Sequence, residues 1–302
     1  MLVVIALGGN ALLKRGDPLT AENQRSSVKT AARAIAEIVN AGHRVVVTHG
    51  NGPQVGLLAL QNYAYKPDEA YPLDLLGAET EGMIGYLIEQ ALESELPKDM
   101  RVATLLTQVE VDAHDDAFNH PVKPIGPVYS ADEADKLASS RGWVMAADGD
   151  SYRRVVASPR PRRIIDIGII RLLIEHGVTV ICAGGGGIPV VAREDGSLLG
   201  VEAVIDKDFS SALLATELGA DALLMLTDVD GVYRNWQRED QTRISRATPR
   251  QVTGLDLPEG SMAPKVKAAC EFVTATGGLA GIGRLADALR IIQGTAGTVI
   301  SN

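Results

Sequence analysis

Three glycine-rich segments stand directly after short apolar runs: Gly8-Gly9-Asn10 after residues 2–7, Gly50-Asn51-Gly52 after residues 44–48, and Gly184-Gly185-Gly186-Gly187 after residues 178–182. Glycine lets backbone N–H groups approach a ligand closely, and a helix starting beyond the turn adds partial positive charge, so such turns suit a phosphate or a carboxylate. One glycine turn after a strand is ordinary turn chemistry; three in one chain point to an anion. Three lysines are candidates to meet it. Lys207 lies between Asp206 and Asp208 just ahead of a helical pattern, where it can reach a phosphate while Asp208 orients it. Taken alone, that segment also reads as a helix-capping cluster. Lys265 opens another helix in Gly260-Ser261-Met262-Ala263-Pro264-Lys265, where a cation opposes the helix dipole unless an anion is bound there. Lys123 lies in Val122-Lys123-Pro124-Ile125-Gly126-Pro127, a stiff proline-bounded loop that can hold a lysine over a site. Lysines and glycine amides are suited to phosphoryl transfer, which is mostly positioning and neutralisation of charge on the transferred oxygens.

Other chemistries find less support. No segment carries the Walker Gly-Lys-Ser/Thr ending, and Gly8-Gly9-Asn10 lacks the spaced third glycine of dinucleotide binders. Protein-kinase signatures are missing as well. The Asp112, His114, Asp115, Asp116, His120 cluster has neither zinc nor EF-hand spacing and reads as a solvated flap, so no protein side chain is assigned to a metal. Cys182 ends an apolar run and reads as a small core residue. His49 touches either substrate or turn packing. The acidic Asp148 and Asp150 and the basic Arg153, Arg154, Arg160, Arg162 and Arg163 read as solvated faces or a hinge.

The elements that must position these groups alternate. Residues 2–7, 44–48, 102–106, 178–182, 222–226 and 279–282 are short apolar runs, hence buried strands. Helical patterns fall at about 20–41, 83–91, 166–176, 209–218 and 263–274, and a closing helix and strand end at Ile300. Such alternation implies an α/β fold with a mostly parallel sheet covered on both faces. The rhythm breaks between Glu110 and Arg154, which we take as an inserted subdomain or flap. No linker divides the chain, so two lobes sharing one sheet are expected, residues 1–177 and 178–302.

With 302 residues, 46% hydrophobic and 22% charged, the chain can bury a large core. Its 29 basic and 38 acidic residues leave a net charge of -9, which argues against nucleic acid as a partner. Any anionic ligand must then be met by a few local cations. Apolar runs end far short of the roughly 20 residues that span a bilayer, so no membrane is expected. Two cysteines in apolar stretches and the absence of a basic leader fit a reducing cytoplasm.

The ordered set of motifs resembles the carbamate kinases of the amino acid kinase family over nearly the whole length. It comprises Ala6-Leu7-Gly8-Gly9-Asn10-Ala11-Leu12, Thr48-His49-Gly50-Asn51-Gly52-Pro53-Gln54-Val55-Gly56, Phe118-Asn119 through Pro127, Arg154-Val155-Val156-Ala157-Ser158-Pro159, the run from Gly184 to Pro189, Val204 to Asp208, Leu226 to Tyr233, and Gly260 to Lys265. The resemblance implies a three-layer αβα sandwich with an N-terminal acceptor lobe, a C-terminal ATP lobe, a protruding subdomain and a homodimer. It implies reversible phosphoryl transfer between ATP and carbamate, with Mg²⁺ on the nucleotide, serving ATP formation in arginine or ureido catabolism. Gly8, Gly9, Asn10, Gly50, Asn51 and Gly52 would then hold the carbamate and moving phosphoryl group. Gly185 and Gly186 would line the junction, and Lys123, Lys207 and Lys265 would neutralise charge, ordered by Asp208. Lys207, Lys265, Asp228, Tyr233 and Met262 would meet the nucleotide. One segment departs from the pattern: Gly281-Ile282-Gly283-Arg284-Leu285 stands where an Ile-Thr-Ser-Leu-like run is expected. The rival readings are a related kinase for another small acceptor and a non-catalytic sensor of nucleotide or carbamoyl phosphate.

Overall fold

A computed structural model describes residues 1–13, 17–258 and 260–302. β1 (Leu2–Leu7) is followed by one helical turn, α1 (Gly9–Leu12), and by α2 (Ala21–Asn40), which starts where the Thr20 hydroxyl accepts from the Asn23 N–H. β2 (Arg44–His49) leads into α3 (Gly52–Tyr65), and α4 (Leu73–Glu95) precedes β3 (Arg101–Thr104) and β4 (Gln108–Val111). Next come β5 (Lys123–Tyr129), α5 (Ala131–Arg141), β6 (Met145–Asp148), β7 (Ser151–Val156) and β8 (Pro161–Ile164). α6 (Ile167–Glu175) and β9 (Val178–Ile181) follow, then the glycine turn and the hairpin β10 (Ile188–Ala192) and β11 (Leu198–Gly200). The last third holds α7 (Lys207–Leu218), β12 (Ala222–Thr227), the hairpin β13 (Val232–Arg234) and β14 (Thr242–Ile244), β15 (Arg246–Ala247), α8 (Pro249–Val252), α9 (Met262–Thr276), β16 (Leu279–Arg284), α10 (Ala288–Ile292) and β17 (Thr298–Ile300).

The eight-stranded sheet runs β15-β17-β16-β12-β1-β2-β9-β3. All its pairings are parallel except β16 with β17. Because successive strand residues point to opposite faces, β1 divides its side chains between two cores. Leu2, Val4 and Ala6 join residues of α6, α7 and α9, whereas Val3, Ile5 and Leu7 join residues of α2, α4 and α10. That is why its sequence is continuously apolar rather than alternating. β9 pairs with β2 and β3, so residues 178–181 extend the sheet beside strands of the first half.

The inserted segment contains the three-stranded sheet β5-β7-β6, packed with α5. Lys123, expected in a loop, opens β5 and pairs with Val156. Pro124 and Pro127 are tolerated because β5 is an edge strand of that sheet. The flap sits on α3 at two glycines: a Cβ on Gly56 would lie 2.0 Å from the Gly126 Cα. Nearby, Trp143 packs edge-on to Tyr63, its ring 4.3 Å from the Arg154 guanidinium and 4.9 Å from that of Arg141. No described helix is long and apolar enough to cross a membrane.

Candidate active site

The N-termini of α3, α7 and α9 meet beneath β5 around a cleft of about 460 Å³. Gly9, Gly50, Asn51, Gly52 and Gly185 line it, together with Lys123, Lys207, Asp208 and Lys265. Gly8 and Gly186 stand behind this wall. A Cβ on Gly8 would lie 2.8 Å from the Leu226 carbonyl, and one on Gly186 would lie 2.4 Å from that of Ile205, so both glycines serve close packing. The Asn10 side chain lies outside the described residues.

Local sequence explains how the lysines arrive. Asp206 caps α7, its Oδ1 accepting from the Asp208 N–H at 2.9 Å, which places Lys207 and Asp208 in the first turn. Lys207 Nζ meets Asp208 Oδ1 at 2.5 Å, and Lys265 Nζ from α9 meets Asp208 Oδ2 at 3.1 Å. Lys123 Nζ descends from the flap onto Asp206 Oδ2. Lys207, Asp208 and Lys265 therefore form one nearly buried group. Burial works to raise the Asp208 carboxyl, but Lys207 and Lys265 outweigh it and hold it well below the usual carboxylate range. Burial pulls Lys207 down, against the opposing pull of Asp208. The Lys207 stem runs over Gly50, where a Cβ would lie 3.5 Å from the lysine Cδ.

The turn after β9 is shaped by left-handed backbone at Ala183, Gly185, Gly186 and Gly187, with φ of 50°, 69°, 101° and 88°. Gly185 presses on Asn51, whose side chain would be 2.2 Å from an added Cβ. Asn51 leaves the start of α3 uncapped and donates instead to Thr80 Oγ1 at 2.9 Å. Glu81, one residue on, was not singled out by sequence, because one more acid on a helix reads as solvent-facing. It is 1% exposed and accepts from the Gly184 and Thr107 N–H groups. His49 is also buried, its Nδ1 3.1 Å from the Gly50 carbonyl oxygen, so it belongs to the turn rather than to the cleft wall.

Arg153 and Arg160, expected on a solvated face or a hinge, reach the cleft wall. Arg153 donates to the Gly126 carbonyl, and Arg160 lies 3.6 Å from the Phe209 ring centroid while pairing with Glu271. Only their fold neighbours reveal this. Cys182 is buried, and burial pushes its thiol up. Asp112 pairs with Arg162, Asp115 caps a short turn, and Asp116 meets His120. Among the described residues no group of three or more His, Cys, Asp or Glu is arranged to hold a metal ion.

A second, smaller cavity of about 90 Å³ adjoins the cleft through Ser261 and Lys265 and is lined by Asp228, Tyr233, Trp236 and Met262. The Tyr233 hydroxyl donates to Asp230 at 2.8 Å, and its ring stands 5.2 Å from that of Trp236. The departure at residues 281–285 has a packing cause. Added Cβ atoms on Gly281 and Gly283 would lie 2.3 and 2.8 Å from Ile291 side-chain carbons. These positions face α10, where Ile291 fills the space that larger residues would need.

A family model described as the amino acid kinase family matches residues 1–279. The chain is 56% identical over 304 residues to a carbamate kinase of Rhizobium meliloti, covering 100% of this chain and 94% of that protein. It is 54% identical over 301 residues to a carbamate kinase of Haemophilus influenzae, covering 100% and 97%. The structure of carbamate kinase from Giardia lamblia bound to citric acid superposes with a TM-score of 0.93 at 40% identity, over 99% of this chain and 98% of that one. The same enzyme bound to AMP-PNP gives 0.89 at 41%, with the same coverage. With a match from residue 1 to residue 279, on a parallel sheet whose helix N-termini converge on a lysine cleft, the chain belongs to the amino acid kinase family.

Proposed function

We propose that the chain is a carbamate kinase, moving a phosphoryl group reversibly between ATP and carbamate. The observation that carries this reading is the junction of Lys123, Lys207 and Lys265 on two carboxylates beside the glycine turns. Carbamate is already an anion, so no general base has to create the nucleophile. What the site must do is hold two anions in line and neutralise the group passing between them. Gly9, Gly50, Asn51, Gly52 and Gly185 border the acceptor position, and Asp208 keeps Lys207 and Lys265 side by side for the transferred oxygens. Lys123 exchanges Asp206 for the phosphoryl group.

Asp228, Tyr233 and Met262 line the nucleotide side, with Lys265 at the junction. The acceptor half comprises residues 1–177 together with the β9 strand and its turn; the rest of 178–302 is the nucleotide half. Mg²⁺ would be carried by the nucleotide; among the described residues no group of three or more His, Cys, Asp or Glu is arranged to hold a metal ion. When bound there it neutralises phosphate charge. The working unit is a homodimer.

The test is ATP formation from ADP, Mg²⁺ and carbamoyl phosphate in a coupled assay, with an enzyme-free control for spontaneous decay. Wild-type turnover that falls by about 10²–10³-fold in Lys207→Ala supports the reading. Binding of ADP without turnover sinks it.

A further inference from the structure

The start of α7 is buried, but what it buries is polar. Lys207, Asp208, Ser210 and Ser211 are covered, and the buried apolar residues of the helix begin only at Ala212. Asp208 is committed to the two lysines. Ser211 is fully buried, and its Oγ donates to the Lys207 carbonyl oxygen at 2.5 Å, four residues back. The same Oγ lies 2.6 Å from Thr48 Oγ1 on β2. A hydroxyl carries one proton, and that of Ser211 goes to a carbonyl that can only accept, so Thr48 is the donor to Ser211. The direction of the relay is thereby fixed, from Thr48 to Ser211 and from Ser211 to the backbone of Lys207.

Neither hydroxyl is needed to fill space. Thr48 is fully buried and shares its face of β2 with Val46, which packs in one core with Ala212, Leu214 and Ala215. A valine would give the same shape there without a buried hydroxyl to satisfy. A serine bonded back to the carbonyl four residues earlier contributes little to a helix by itself. What the two hydroxyls add together is a directional tie between one residue of β2 and one of α7. Two residues beyond Thr48 stands Gly50, where an added Cβ would lie 3.5 Å from Lys207 Cδ and 3.7 Å from Cε. Lys207 is thus held at three points: its carbonyl by the relay, its stem on Gly50 and its Nζ by Asp208.

We infer that Thr48 and Ser211 are positioning residues whose relay docks the start of α7 on β2 and fixes the reach of Lys207 from the Gly50–Gly52 turn. The consequence for turnover rests on the kinase reading above; the docking of Lys207 does not.

Two kinds of readout test it. Thr48→Val keeps the shape and removes the donor, whereas Thr48→Ser keeps the donor and trims a methyl group. In ATP formation, Thr48→Val should lower kcat about tenfold with KM for ADP within about twofold of wild type, and Thr48→Ser should recover to within about threefold. Ser211→Ala, and Thr48→Val combined with Ser211→Ala, should each match Thr48→Val within about twofold, because one relay is cut only once. The second readout needs no turnover: trace labelling of lysines with acetic anhydride, followed by peptide mass spectrometry, with the exposed Lys29 as reference. Lys207 labelling should rise severalfold in Thr48→Val and stay at the wild-type level in Thr48→Ser. Unchanged Lys207 labelling in Thr48→Val would overturn the docking. A wild-type kcat in Thr48→Val would remove the positioning role, as would a Thr48→Ser enzyme equally slow, since shape and not the hydroxyl would then decide. Additive losses in the double variant would show two independent hydroxyls and no relay. If wild type makes no ATP yet the labelling contrast holds, the docking stands and the kinase reading falls.

Discussion

Asp208 is the residue on which the cleft's charge balance turns, because its two oxygens separate Lys207 from Lys265. Replacing it with asparagine leaves two ammonium groups sharing one neutral amide, and we predict a loss of turnover of about 10²-fold or more, with Lys207→Ala at least as severe. Steady-state rates, with circular dichroism confirming that each variant is folded at the assay temperature, would check both. His49 gives a second prediction. Its buried imidazole titrates near 4 instead of 6.5, so it contributes stability above pH 6.5 that is lost as pH falls toward 4. That contribution is on the order of 3 kcal/mol, and His49→Gln should flatten the acid limb of a denaturation profile. Lys207 and Lys265 were legible in sequence because a cation between carboxylates, or at a helix start, is conspicuous, and Lys123 because prolines bound it, although it opens a strand rather than sitting in a loop. Glu81 and Arg153 were not, since burial and long-range partners leave no local trace in spacing.

Among the elements, the flap depends on a contact between two backbones. Gly56 on α3 and Gly126 on β5 leave no room for a methyl group. Gly56→Ala should therefore lift the flap or cost about 1–3 kcal/mol, visible as a lower Tm and a raised KM for carbamoyl phosphate as Lys123 moves away. At the far end of the sheet, Gly283→Thr should be destabilising by a similar amount, and trimming Ile291 to alanine in the same chain should recover part of the loss. The strands of the large sheet except β15, and the helices α2, α6, α7 and α9, were legible to within a few residues, because apolar runs and 3.6-residue periodicity report burial directly, whereas α3 was not read and α4 was read only at about 83–91 of Leu73–Glu95. The flap was harder to read. Its strands carry Pro124, Pro127, Arg153 and Arg154, side chains whose fitness for an edge or for stacking on Trp143 emerges only in three dimensions.

For the molecule as a whole, one sheet joins the strand ends that bear the glycine turns of the cleft to the β12 end that leads into the smaller cavity. A ligand touching both regions links them. ADP with Mg²⁺ at about a hundred times its Kd should add about 2.7 kcal/mol, and a thermal shift of several degrees, retained in Lys123→Ala but reduced in Lys265→Ala, would separate the flap from the nucleotide side. The parallel core was legible from continuous apolar strands, whereas the placement of β9 between β2 and β3 was not, since strand order is set by crossovers rather than by composition. The chain has only two tryptophans, and the fold puts one in the flap and the other at the smaller cavity. Trp143 is 7% exposed under two guanidinium groups in the flap, and Trp236 is 38% exposed on the wall of the smaller cavity. Their emission should differ in wavelength, so the unlabelled protein carries its own pair of optical reporters, one for the flap and one for whatever enters the smaller cavity.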